Sequence, residues 1–130
     1  MDKRHGFTII ELVVVLAFLI GGAAVFYTQK ASIDAIARDA DRKVAINAMY
    51  YSLEEVSYPK NGAYPQSIDS KTLRSVDPEL FTDPDGYKMG DAQSNYHYSA
   101  SDCSLAGLCK QYRLSADMEK EAEYVKTNRR

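Results

Sequence analysis

From Phe7 to Tyr27 this chain carries one charge, Glu11, and that constrains it more than any other feature. Phe7-Thr8-Ile9-Ile10-Glu11-Leu12 leads into an apolar run from Leu12 to Tyr27. Ile9 to Tyr27 is 19 residues, which as a helix at about 1.5 Å per residue reaches roughly 28 Å. The hydrocarbon core of a bilayer is about 30 Å thick, so the segment 7–28 reads as a membrane span. Lys3 and Arg4 stand on its N-terminal side, and the other flank, Lys30 to Lys43, mixes both signs. The positive-inside bias then puts the N-terminus in the cytoplasm and residues 29–130 outside.

The order of the leader is unusual for export. A secretory signal peptide places its cleavage site after the apolar region, whereas the lone glycine here, Gly6, precedes it. A cut after Gly6 removes Asp2, Lys3 and Arg4 and keeps the apolar helix, now beginning at Phe7. The alternative is a small-residue signal-peptidase site at Gly22-Ala23-Ala24. It would release residues 25–130 as a soluble, non-polymerising binding domain and leave Glu11 inside the apolar region; a second alternative is an uncleaved anchor presenting a tyrosine-rich adhesive head.

The run Gly6-Phe7-Thr8-Ile9-Ile10-Glu11-Leu12, with a basic leader before it and a long apolar helix after it, resembles the type IV pilin superfamily, meaning type IV pilins and the pseudopilins of type II secretion. The resemblance implies that residues 1–6 are a prepilin leader. A prepilin peptidase would cut between Gly6 and Phe7 and methylate the Phe7 amine. An inner-membrane assembly platform would then take the subunit from the membrane into a homo-oligomeric filament with other pilins, at the cell surface or in the periplasm. It also implies that Glu11 draws each incoming subunit into register.

Glu11 has a physical reading of its own. A carboxylate at membrane depth is costly unless paired. Cleavage would create a partner in the Phe7 amine, four residues away on one helix face. The local alternative is a capping box, Thr8-x-x-Glu11. Gly21-Gly22 interrupt the span at about 1 kcal/mol each relative to Ala. They mark either close helix packing or a point that melts on leaving the membrane. The proline that many pilins carry along this helix is missing, since none lies between Met1 and Tyr58.

At 130 residues the chain is one domain. With 16 Lys and Arg against 18 Asp and Glu it lacks the basic excess of a nucleic-acid binder. Residues 28–57 contain no Pro or Gly and extend the helix as an amphipathic segment to about residue 57. Ile46, Met49, Leu53 and Val56 form an apolar stripe at helical spacing, expected to pack on a small sheet. Ile33, Ile36, Ala37 and Ala40 extend a thinner stripe upstream, leaving Asp34, Arg38, Asp41 and Arg42 on a solvated face. Pro59, Asn61-Gly62 and Pro65 end the helix. The fold class is therefore α+β: a long N-terminal helix, membrane-spanning in its first half, packed against a small antiparallel sheet as in pilins.

Residues 66–83 read as loop with one helical turn near Ser70–Ser75. Segment 58–65 is similar to the post-helix turn of many pseudopilins, and Asp83-Pro84-Asp85-Gly86-Tyr87 to the turn that opens their sheet. Asp83, Asp85 and Asp91 are calcium candidates, but no EF-hand pattern is met and Pro-Asp-Gly is a turn signal in its own right. Asn95–Ala100 and Lys110–Ser115 alternate as strands. Cys103 and Cys109 flank the loop between them and read as a disulfide on the outer side of the membrane, with a zinc pair as the alternative. Tyr87, Tyr96, Tyr98 and Tyr112 are strand formers or an adhesive patch. The tail Glu119–Arg130 reads as a solvated end. His97 is expected to be structural, no catalytic motif appears, and neither an enzyme nor a cofactor is expected.

Overall fold

The computed structural model describes residues 6–130, so Met1–His5 of the basic leader lie outside the described residues. The chain divides into two units, one up to Ala35 and one from Ile36 to Arg130. Helix α1 (Ile9–Tyr51) belongs to both.

In the first unit every residue from Gly6 to Ala31 is exposed, and the helix is long and apolar enough to cross a membrane. The second unit is the head. After α1 the helical path continues as a π-helical stretch, Ser52–Ser57, and a final turn, α2 (Tyr58–Asn61). Gly62 closes it in the left-handed conformation, φ 67°, with its N–H donating to the Tyr58 carbonyl at 2.7 Å. Four strands follow: β1 (Tyr64–Pro65), β2 (Tyr96–Cys103), β3 (Leu108–Ala116) and β4 (Tyr124–Thr127). All pairings are antiparallel. β2 takes one edge of β3, while β1 and β4 share the other, β1 opposite Cys109 and Leu108, β4 opposite Arg113 to Ala116. The core joins Ile46, Met49 and Leu53 of the helical path to Tyr64, Leu73, Phe81, Tyr96, Tyr112 and Leu114. This is an α+β layout, a helix against a small antiparallel sheet.

The helix differs from its sequence pattern in three ways. First, Pro59 does not end it. Tyr58 N–H donates to the carbonyl of Leu53, five residues back, so the turn is already widened where the proline ring would meet the carbonyl four residues before it.

Second, the widening rotates the face. In a π-helix each residue turns the chain by less than the about 100° of an α-helix. The lag brings Glu54 to the core, 1 % exposed, and carries Val56 outward, 51 % exposed. Glu54 is satisfied there by the hydroxyls of Tyr112 (2.9 Å) and Tyr64 (3.1 Å) and the N–H of Arg129 (3.2 Å). Burial, and then the contact with Glu54, push both tyrosine pKa values well up, so both remain donors.

Third, the inward stripe runs Ala35, Asp39, Arg42, Ile46, Met49, Leu53. The expected upstream stripe is wrong: Ile33, Ile36, Ala37 and Ala40 are exposed. Arg42, expected in solvent, is 1 % exposed. The turn expected near Ser70–Ser75 is present as a single helical turn, with Leu73 N–H donating to the Asp69 carbonyl four residues back at 3.0 Å, and a 3-10 turn follows at Pro78–Phe81.

The rotated register has a direct test. Leu53→Ala is expected to cost about 2–5 kcal/mol and Val56→Ala to stay within about 0.5 kcal/mol, read by denaturant unfolding of the full chain in detergent. Equal losses would mean that the helix keeps its α register through Val56.

Candidate functional site

The N-terminal segment is built by local chemistry. Gly6, Phe7 and Thr8 are non-helical and exposed, and α1 starts at Ile9. Thr8 and Glu11 form the capping box: Thr8 N–H donates to Glu11 Oε2 at 3.0 Å and Glu11 N–H to Thr8 Oγ1 at 3.3 Å. The Thr8 hydroxyl adds a third bond to Oε2 at 3.1 Å. The helix thus stops short of the Gly6–Phe7 bond, which stays in open backbone. Glu11 satisfies the helix start within its own chain, so the local reading of this residue holds as geometry. Gly21 and Gly22 sit inside uninterrupted helix, and a Cβ on either meets nothing within 4 Å. Their small size answers no contact within one chain.

The apolar surface does not stop at the first unit. Within the head unit Ile36, Val44 and Tyr51 are each more than half exposed on the helix. Val44 and Tyr51, about two helical turns apart, face away from the inward stripe, while Ile36 lies to the side, one residue on from Ala35.

In the head, polar chemistry gathers around Arg42. Its Nη1 donates to Asp39 Oδ1 at 2.8 Å and Glu119 Oε1 at 3.0 Å, and its Nη2 to Asp85 Oδ2 at 2.8 Å. Its Nε is the buried side-chain atom left without a hydrogen bond among the described residues. Asp39 also accepts the N–H groups of Glu119 and Lys120, both at 2.8 Å. Arg38 forks onto Glu119, both bonds at 2.7 Å. Burial opposes ionisation of Asp39, yet the two backbone N–H groups and Arg42 hold its pKa below the usual carboxylate range. Glu119 is held at about 2, chiefly by its bonds to Arg38, against burial, with Arg42 assisting.

The calcium candidates are occupied by the protein. Asp83 accepts the N–H groups of Asp85 (3.0 Å), Tyr87 (2.9 Å) and Asn95 (2.9 Å). Asp85 is bound to Arg42 and to Asn95 Nδ2 at 2.7 Å, and Asp91 caps Lys88 N–H at 3.0 Å. Among the described residues no three His, Cys, Asp or Glu side chains gather as a metal site. The acidic segment is a turn whose carboxylates replace water for its own backbone.

Cys103 and Cys109 are disulfide-bonded and face each other across β2 and β3. Of the four sheet-region tyrosines only Tyr87 is exposed, while Tyr96 and Tyr112 are buried and Tyr98 is half-buried with its hydroxyl on the Pro65 carbonyl. Tyr96, Tyr98 and Tyr112 thus belong to the core or pack against it rather than presenting a surface. Burial and the Asp83 charge push Tyr96 up to about 12. His97 is exposed, with Nε2 at 3.0 Å from Asp117 Oδ2.

The tail is a correction of a different kind. Glu119–Arg130 keeps a solvated surface yet is docked: it contains β4, Tyr124 bonds Asn47 at 3.1 Å, and Arg129 reaches the Tyr50 hydroxyl at 2.7 Å and Glu55 at 2.8 Å. Sequence reasoning missed Asp39, Glu54 and Arg129 because each polar group finds its partner far along the chain. The signal available was a charged pair, Asp39 and Arg42, at helical spacing on the line that continues Ile46, Met49 and Leu53.

No protein-family model, curated protein or solved structure matches this chain.

The carboxylate cluster makes head stability depend on acid. Glu119 has a folded pKa below its ordinary 4.5, and Asp39 is depressed likewise. Their contribution is complete above about pH 4.5 and is lost as pH falls through the folded values. Thermal melting is expected at progressively lower temperature from pH 4.5 to pH 2. Glu119→Gln is expected to melt lower at neutral pH and to show a shallower acid-side slope. An unchanged slope would mean that other carboxylates carry the acid response.

Proposed function

We propose that this chain is the structural subunit of a filament of the type IV pilus or type II secretion pseudopilus kind. It is made as a membrane-inserted prepilin, cut between Gly6 and Phe7, N-methylated at Phe7 and assembled through its N-terminal helix. The observation that carries this reading is the first unit. Its helix is exposed at every residue up to Ala31, its apolar run to Tyr27 has one carboxylate, Glu11, in the first turn, and the helix follows an unwound Gly6–Phe7 bond.

Such a surface must be covered by lipid or by other apolar helices, since apolar area in water costs about 25 cal/mol per Å². Moving from lipid to a helix bundle gains little hydrophobic energy, because lipid tails are as apolar as leucine. Assembly therefore rests on packing repeated in each subunit and on the fate of Glu11. In the precursor Glu11 caps its own helix. After cleavage a new cation, the Phe7 amine of the same or a neighbouring subunit, competes for that carboxylate, and in an apolar filament core such a pairing is strongly favoured over leaving the charge alone. The Gly21-Gly22 pair, with open space above both, allows close backbone approach by a neighbour. The partners under this reading are other copies and other pilins, the prepilin peptidase and the inner-membrane assembly platform, with the N-terminus in the cytoplasm before assembly.

The test is the intact mass of the chain recovered from the cell envelope, together with the Glu11→Ala variant. A chain beginning at Phe7 with one added methyl is expected, and Glu11→Ala is expected to be exported but to form no filaments. A chain beginning near Val25 would replace this reading with a released, non-polymerising domain. Normal filaments from Glu11→Ala would remove the role given to that carboxylate.

A further inference from the structure

Three cations of the head line one hollow whose described walls carry no carboxylate. The cavity, of about 380 Å³, is walled by the end of the helical path on one side and by the turn segment after β1 on the other. Lys60 reaches it from α2, and Lys71 and Arg74 from the turn. All three are exposed, and among the described residues none of them forms an ion pair. Like charges brought to one hollow repel, so the arrangement lacks its counter-charge.

The carboxylates nearest along the chain are engaged elsewhere. Asp69 Oδ1 accepts the N–H groups of Lys71 at 2.9 Å and Thr72 at 2.8 Å, and Asp69 lines a different cavity. Glu54 is held by Tyr64 and Tyr112, Glu55 by Arg129, and Asp77 accepts the Glu79 N–H. Arg74 Nε donates to the Lys71 carbonyl at 3.3 Å, which leaves the two Nη groups of its fork for a ligand. The walls add a further donor. Ser52 is 5 % exposed and stands 2.6 Å from Ser75, Oγ to Oγ. One hydroxyl donates across that contact, and the other keeps a proton for an acceptor. Lys60 alone would be explained by the C-terminal end of α2, where a cation complements the helix dipole. Lys71 and Arg74 stand on a separate segment and have no such reason.

We propose that this cavity binds a phosphate group. Such a group carries about −1.5 to −2 charges at neutral pH and has several acceptor oxygens, which suits three cations and a hydroxyl proton arriving from two segments. A carboxylate offers one charge and two oxygens. Arginine forks and lysine point charges are the side chains that recognise phosphate. The group is either the free ion or the ester end of a small molecule, and the cavity falls in the range of small-ligand pockets, about 300–1,000 Å³. The site uses residues of the head alone and is independent of the filament reading.

The experiment titrates the 15N-labelled full-length chain, in an uncharged maltoside detergent at constant ionic strength, and follows the backbone amide shifts. The probes are inorganic phosphate, glycerol 3-phosphate and, as the uncharged control, glycerol. Saturable shifts confined to residues 52–61 and 71–75 are expected from phosphate and none from glycerol. Saturation by inorganic phosphate identifies the free ion as sufficient, and saturation by glycerol 3-phosphate alone identifies an ester. The pair Lys71→Gln and Arg74→Gln is expected to weaken binding about tenfold or more at an unchanged melting temperature. Lys60→Gln, on the opposite wall, is expected to weaken it severalfold. The pair Lys88→Gln and Lys120→Gln removes exposed cations outside the cavity and is expected to leave binding unchanged. No saturable shift in these segments, undiminished binding by the cavity variants, or equal weakening by the Lys88 and Lys120 pair overturns the site.

Discussion

A guanidinium sealed from water must be matched in charge and in hydrogen bonds, and the head depends on how Arg42 meets that demand. It receives three carboxylates: Asp39 one turn away, Asp85 in the acidic turn and Glu119 ahead of β4. Asp39 is as buried as Arg42, whereas Asp85 and Glu119 are partly exposed and their pairs are screened; Arg42 nonetheless joins helix, turn and tail into one set through them. Asp39 extends the set by accepting two backbone N–H groups from the segment after β3. These contacts explain why a charged C-terminal segment stays in place although β4 is only half buried.

Glu54 repeats the same logic at the far end of the helical path. The π-helical stretch is the backbone change that allows it, since it turns a carboxylate inward, where two tyrosine hydroxyls and the Arg129 N–H take it up. A helix that stayed α would have offered Val56 to the same face and left the hydroxyls of Tyr64 and Tyr112 to find other partners. The cost of the poorer π hydrogen bonding is offset by satisfying three buried polar groups at once. Widening also makes room for Pro59 without a break, so one local deformation resolves two conflicts.

One helix therefore serves two environments with two surface codes. From Leu12 to Tyr27 it is apolar all round, which suits lipid or a bundle of like helices, and polar residues, with the Lys30–Asp34 pair, follow before Ala35. From Ile36 onward one face is inlaid with Asp39 and Arg42 for the head, while Val44 and Tyr51 are exposed apolar residues on the other and Ile36 lies to the side. The head's helix thus keeps exposed apolar residues of its own.

The sequence by itself determined what depends on neighbours within a few residues. The membrane-length apolar run, the Thr8–Glu11 capping box, the Asp-Pro-Asp-Gly-Tyr turn, the Cys103–Cys109 pair and the two long strands all follow from spacing, propensity and turn chemistry, and each stands in the structure. Only the tertiary structure decided which face of the helix points inward and what becomes of the tail. Hydrophobic periodicity selected Ile33, Ile36, Ala37 and Ala40, because it cannot register that Asp39 and Arg42 become suitable core residues once Asp85 and Glu119 arrive from 43 and 77 positions away along the chain. β1 and β4, two and four residues long, have no periodicity of their own and exist as strands because the free edge of β3 supplies their hydrogen bonds. Glu54 and Val56 exchanged places for the same reason. A buried charge is unfavourable alone and favourable with its donors present, and those donors are brought together only when the chain has folded.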